Sequence, residues 1–105
     1  MSKSIILTGN KGLIGKSLEL YLRNKNFDIK GFDIESNLAI EENVKDLMRE
    51  NKESQYLINA FALNDHIDNK TNNYDPLNSP LKEFRNFLEI NNTTLFSVCR
   101  EFIKT

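Results

Sequence analysis

The sequence predicts a three-layer α/β half-fold: a parallel sheet of three to four strands with helices on both faces. Three observations carry that expectation. Short apolar runs alternate with amphipathic stretches along the 105 residues. The first apolar run, Ile5 to Leu7, leads directly into three glycines at a spacing of three, Gly9, Gly12 and Gly15, and a helical pattern begins inside them. A later run, Tyr56-Leu57-Ile58-Asn59-Ala60, is almost wholly apolar, as a parallel strand covered on both faces should be.

Taken in order, Ser4 to Thr8 is the first strand and about Gly12 to Lys25 the first helix. The helix carries Ile14, Leu18, Tyr21 and Leu22 at helical spacing, a stripe expected to face the sheet. Asn24-Lys25-Asn26 is its stop. Phe27 to Asp33 is the second strand, with Asp33 at its carboxyl end, and Ser36 to Ile40 has room for a very short third strand. Glu41 and Glu42 suit the first turn of a second helix, where acids oppose the macrodipole. That helix spans about Glu41 to Lys52, with Val44, Leu47 and Met48 inward. The strand Tyr56 to Ala60 follows. Residues 61 to 79 form a long connection rich in Asn and Asp, a length that usually marks function or disorder. Ser79 as cap and Pro80 at the first helical position start a long last helix, about Pro80 to Lys104.

In that helix Leu81, Phe84, Leu88, Asn91, Leu95, Val98 and Phe102 alternate at steps of three and four, and Phe87, Ile90 and Ile103 widen the apolar face. Its width predicts a contact beyond the sheet, with another subunit. The expected sheet order is 3-2-1, which leaves the first strand at an edge. An unpaired apolar edge favours association, so the chain is expected to form a homo-oligomer through the last helix or the sheet edge, or to be part of a longer protein.

Length and composition set bounds. One domain over residues 1–105 is expected, because the length suffices for one and not for two. With 39% hydrophobic and 28% charged residues the composition is that of an ordinary globular protein. A net charge of −1 gives no electrostatic case for nucleic acid or an anionic membrane. No apolar run approaches the roughly 20 residues of a membrane span, and the N-terminus lacks the apolar centre of a signal peptide. The single cysteine, Cys99, has no intrachain disulfide partner, so a reduced, cytoplasmic location is expected. Cys99 itself reads as a small buried apolar residue.

The bend over Gly9, Asn10, Lys11, Gly12, Leu13, Ile14 and Gly15 has its own chemistry. A strand that turns sharply into a helix brings bare backbone N–H groups and the positive helix end to one spot, which suits a phosphate. The glycines divide the work: a tight turn at Gly9, close approach to a pyrophosphate at Gly12, and helix–strand contact at Gly15.

Together the Thr8-Gly9-x-x-Gly12-x-x-Gly15 turn, Asp33, and Ile58-Asn59-Ala60-Phe61-Ala62 resemble the short-chain dehydrogenase/reductase superfamily. The glycine spacing is similar to that of its extended branch of epimerases, dehydratases and sugar-nucleotide reductases, and the layout looks like that of dTDP-4-dehydrorhamnose reductases. Near the end, Glu89-Ile90-Asn91-Asn92-Thr93-Thr94 resembles the family segment in which an asparagine breaks a long helix beside the active site. The likeness covers nearly all of this chain and the first half of a family member. It implies a Rossmann-like fold that binds NAD, with NADP as the alternative.

By that resemblance Gly9 to Gly15 would hold the dinucleotide phosphates. Asp33, with Ile34 after it, would accept hydrogen bonds from the adenosine ribose and repel a 2′-phosphate, favouring NAD. Lys11 points the other way, because a basic residue in the turn can pair with that phosphate. Ile40 would lie near the adenine, although Ala39 stands where the family often has an aspartate. Asn59, Ala60, Phe61 and Ala62 would line the path to the nicotinamide ribose, with Phe61 bulkier than the usual small residue. The family's catalytic Ser/Thr and Tyr-x-x-x-Lys follow a later strand and have no counterpart among these residues, so a catalytic role for this chain by itself is left open. The string Tyr21-Leu22-Arg23-Asn24-Lys25 has the right spacing but lies in the first helix.

Two other classes stay in view. One is a non-catalytic half-fold that self-associates, in which Asn91 fixes helix register between subunits. The other is a P-loop nucleotide binder, suggested by Gly15-Lys16-Ser17; there the motif requires glycine at position 10, which is Asn. His66, between Asp65 and Asp68, reads as an exposed loop residue before it reads as a metal ligand. No Cys/His cluster suggests a structural zinc.

Overall fold

The computed structural model describes residues 3–61, 77 and 80–105. Strand β1 (Ser4–Thr8) leads to helix α1 (Leu13–Asn24), strand β2 (Asp28–Phe32), a 3₁₀ turn (Ile34–Ser36), helix α2 (Glu41–Glu50) and strand β3 (Tyr56–Asn59). After the connection come helix α3 (Leu81–Leu88), a π-helical turn (Glu89–Thr93) and helix α4 (Thr94–Lys104). The expected Ser79 cap, His66 and Ala62 lie outside the described residues.

All three strands are parallel, in the order β2-β1-β3. Ile5 pairs with Ile29 on one side and with Tyr56 on the other. This corrects the expected 3-2-1 order: β1 is the central strand, not an edge. The apolar run Tyr56–Asn59 itself takes the position beside β1 that the expectation left open, so the proposed edge at β1 does not exist. Among the described residues the free edges are those of β2 and β3. No third strand forms over residues 36 to 40. Asn37 adopts φ 44°, and its carbonyl accepts from Ile40 N–H at 3.2 Å and from Asn43 Nδ2 at 3.1 Å. Those bonds fold the segment into turns that lead into α2.

The alternation of β1 side chains divides the core. Ile6, fully buried, packs with Val44, Leu47 and Met48 of α2 and Val98 of α4. Ile5 and Leu7 face the other way and pack with Ile29, Leu18 and Leu22, the last two from α1. The result is the expected three layers, with α1 on one face and α2 and α4 on the other. The expected α1 stripe is only half right. Leu18 and Leu22 face the sheet, together with buried Gly15, but Ile14 is 70% and Tyr21 59% exposed. The inward face is centred on Gly15, which has no side chain to announce it. Helix α1 ends where predicted: Asn26 takes φ 70°, and the N–H groups of Asn26 and Phe27 return to the Arg23 and Leu22 carbonyls.

Glu101 closes the layer between α2 and α4. Its buried carboxylate accepts from Arg100 Nε at 3.1 Å and pairs with Lys104 Nζ at 3.5 Å, while Arg100 Nη2 also reaches Glu41 Oε1 on α2 at 3.0 Å. Burial works against the charge, but the hydrogen bonds and charges of Arg100 and Lys104 outweigh it and hold the carboxyl below the ordinary glutamate range. A carboxyl lowered in the folded state contributes stability that is full above its unfolded value and is lost as pH falls through the folded one. Thermal melts at about pH 7 and about pH 3.5, either side of the ordinary carboxylate range, should therefore show a smaller acid-induced fall in Tm for Glu101→Gln than for the parent. Equal falls would remove Glu101 as a source of acid sensitivity.

From Leu81 to Lys104 the helical backbone is unbroken but changes in type. Asn91 lies in the π turn, where one extra residue per turn rotates the helix face. After it, Thr94, Val98 and Glu101 are buried against the domain. Before it, α3 packs mainly on the π turn that follows, and its stripe of Leu81, Phe84 and Leu88 is exposed. Among the described residues no helix is long and apolar enough to cross a membrane.

Candidate functional site

The site is built where the chain reverses its direction of travel across the sheet. From β1 the chain moves to β2 on one side, then to β3 on the other. That makes the carboxyl end of β1 the switch point at which α/β sheets open a crevice for ligands. Gly9 lies in it. Its N–H donates to the Phe32 carbonyl at 2.6 Å, and Ala60 N–H donates to the Thr8 carbonyl at 2.9 Å. Gly9 has φ 76°, and a Cβ there would stand 2.5–2.7 Å from the Ala60 and Phe61 backbone. The tight turn expected at this position is what the structure has.

Helix α1 then begins at Gly12, which caps it without any side-chain hydrogen bond. The first-turn N–H groups of Leu13, Ile14 and Gly15 have no acceptor inside the helix. A Cβ on Gly12 would stand in ordinary contact with the Gly9 carbonyl oxygen at 3.5 Å and would displace nothing. Gly15 is the opposite case: a Cβ there would collide with the Gly9 carbonyl. Leu13 and Ile14 are exposed beside the cap. Lys16 is exposed too, and Ser17 Oγ returns to the Leu13 carbonyl at 3.5 Å.

Asp33 stands at the end of β2, against the bend. Its Oδ2 accepts the Lys11 N–H at 2.7 Å, so the carboxylate and the glycine turn are physically joined. Ile34 opens the 3₁₀ turn directly after it. Glu35, in the same turn, forms an ion pair with Lys11 Nζ at 3.1 Å. Its own backbone N–H, and then Lys11, hold its carboxyl below the ordinary range. Sequence reading missed Glu35. The only available signal was its position two residues after Asp33.

Other expected site residues are placed differently from one another. Asn10 turns inward: its amide lies over Gly31, and its Nδ2 approaches Glu19 Oε1 at 3.5 Å. Arg23 Nη2 donates to that Glu19 carboxylate at 3.2 Å and to the Ile29 carbonyl at 3.1 Å. This brace between α1 and β2, also missed, supports the bend from beneath. Asn59 ties three elements together, accepting from Thr8 Oγ1 at 2.6 Å and donating to Cys99 Sγ at 3.4 Å. Cys99 is half-buried rather than fully buried. Ala60 and Phe61 follow β3 beside Gly9, and the Phe61 ring packs on the α2–α4 core. Ile40 is 49% exposed at the start of α2. Asn91 is half-buried in the π turn. Tyr21 and Lys25 lie on the outer surface of α1, the Lys25 ammonium 5.5 Å from the ring centre.

Electrostatically, the mouth of the bend combines a helix start with one lysine and two acids. A groove of about 750 Å³ lies elsewhere. It runs along the free edge of β3 and is lined by Ile5, Phe27, Tyr56, Leu57, Phe102 and Ile103.

No family model and no curated protein sequence matches the chain. Among solved structures, it is similar to the dTDP-4-dehydrorhamnose reductase of Bacillus anthracis str. Ames in complex with NADP, with a TM-score of 0.71 and 23% identity. The match covers 93% of this chain and 31% of the reductase chain, a smaller share than the half expected from the sequence. The fold of this chain is the Rossmann-like α/β fold of that reductase, over about a third of the reductase's length.

Proposed function

We propose that the chain is the NAD(P)-binding portion of a short-chain dehydrogenase/reductase-like oxidoreductase or epimerase. The observation that carries this reading is the bare Gly12 cap at the switch point of the sheet, with the Asp33 carboxylate bonded to the same turn. A solved structure with this fold is an NADP complex. This chain's own geometry supports the fit: Gly12 puts no side chain over the start of α1, and the first-turn N–H groups of the helix are left for a diphosphate. Asp33 would hold the adenosine ribose, with Ile40 on the adenine side. Ala60 would flank the nicotinamide ribose, and Asn91 would face the same end of the sheet. Asn59 acts indirectly, by fixing β3 against β1 and α4. When bound, the dinucleotide supplies hydride transfer at the nicotinamide ring. The residues described here bind and orient it. Tyr21 and Lys25, on the exposed surface of α1, are given no part in it.

Calorimetric titration of the protein with NADH, NADPH and Mg-ATP tests the proposal. Saturable binding of a dinucleotide at micromolar to millimolar concentration is expected. A folded sample that binds neither dinucleotide would sink it, and tight Mg-ATP binding lost in Lys16→Ala would replace it with the P-loop reading.

A second reading, self-association, is favoured by the exposed stripe of Leu81, Phe84 and Leu88 on α3. Under it two copies pair through this helix, with or without dinucleotide. Sedimentation should show a concentration-dependent dimer that Phe84→Glu shifts to monomer. A monomer at all micromolar concentrations contradicts it.

A further inference from the structure

We infer that Glu35, through its ion pair with Lys11, sets which dinucleotide the bend accepts and makes it discriminate against a 2′-phosphate. The inference rests on the proposed dinucleotide site and adds a residue to it. Lys11, Asp33 and Glu35 form one compact group at the end of β2. The Lys11 N–H is held by Asp33 Oδ2 at 2.7 Å, and the Lys11 ammonium by Glu35 Oε1 at 3.1 Å. The two bonds fix both ends of the same residue.

The consequence is electrostatic. Lysine in a glycine turn beside an adenosine ribose is a natural partner for a 2′-phosphate, which carries a charge of about −1.5 to −2 near neutral pH. Here the ammonium is already paired, and a second carboxylate, Asp33, remains beside it. The group's formal charge is −1: one ammonium against two carboxylates. A ribose with a free 2′-hydroxyl meets acceptors. A 2′-phosphate meets net repulsion and has to displace Glu35 from Lys11 before gaining a counterion. Removing the Glu35 charge brings the group to neutrality and frees the ammonium. The Lys11 and Glu35 side chains are 64% and 50% exposed, so solvent screens the effect and keeps it moderate.

The test is a set of NADH and NADPH titrations on the parent, Glu35→Gln, Lys11→Met and the double variant, at low and high salt. All the substitutions are at exposed side chains, and circular dichroism checks that each protein is folded. The expected result is a roughly three- to tenfold gain in NADPH affinity relative to NADH in Glu35→Gln. That gain should disappear in the double variant and shrink at high salt. If the parent binds NADH and Glu35→Gln leaves the NADH/NADPH ratio unchanged, the inference is overturned and the dinucleotide site stands. A gain that survives in the double variant also overturns it, because Lys11 would not be the group released. If folded parent and variants bind neither dinucleotide, the site itself fails and the inference falls with it.

Discussion

Alanine at Gly15 will destabilise the protein by about 3 kcal/mol or more, whereas alanine at Gly12 will change stability by less than about 0.5 kcal/mol. The two glycines belong to the same turn and the same spacing, and only the structure separates them. At Gly15 the added methyl collides with the Gly9 carbonyl and crowds Asn10, and neither can withdraw. Gly9 is fixed by its bond to Phe32 and by the Ala60–Phe61 backbone behind it. Relief requires α1 to move off the sheet, which opens the contacts of Leu18 and Leu22 with Ile5, Leu7 and Ile29. At Gly12 the methyl meets the Gly9 carbonyl oxygen at an ordinary 3.5 Å. Gly12→Ala should nevertheless weaken NADH and NADPH together, because the methyl would stand where a diphosphate approaches the backbone. Denaturant melts and titrations on both variants check the pair. A stable Gly15→Ala, or a Gly12→Ala that binds as well as the parent, would contradict the division of labour.

Asp33→Ala will lower NADH affinity roughly tenfold or more and NADPH affinity by less. A carboxylate that accepts from ribose hydroxyls contributes about 1.5–3 kcal/mol through charge-assisted bonds. NADPH loses less because the same substitution removes a repulsion from its 2′-phosphate. The Lys11 N–H also loses its acceptor, but that group is at the surface and water replaces it, so stability should hold. Calorimetry with both dinucleotides measures the two losses. Equal losses, or a larger one for NADPH, would remove Asp33 from the ribose position.

How much of this was legible differs element by element. Strand β1 was readable to the residue, because an apolar run that stops at glycine has few other conformations. The break at Asn91 was legible from the family segment around it, and the π turn over Glu89–Thr93 lies there. The strand order was not. Which side of β1 receives Tyr56–Asn59 is decided by how α2 packs across the sheet, and no local pattern encodes it. The inward face of α1 was misplaced for a related reason. Its centre is Gly15, so the apolar residues Ile14 and Tyr21 advertised a stripe that the close helix–strand contact rotates outward. In the proposed site, the turn at Gly9, the cap at Gly12 and the place of Asp33 after β2 were readable, because each is tied to a spacing. Glu35 and the Asn10–Glu19–Arg23 brace were not. Their contacts join side chains across different elements, and any exposed acid or arginine reads the same way in a sequence.

Everything functional depends on the amide hydrogens at the start of α1 meeting a diphosphate. Amide chemical-shift mapping of the labelled protein during addition of NADH and NADPH observes them directly. The expected result is saturable shifts concentrated at Gly12, Leu13, Ile14 and Gly15, with Asp33 and Ala60 following at the same concentrations. Shifts confined to the groove of Tyr56, Leu57 and Phe102, or none at millimolar dinucleotide, would contradict it.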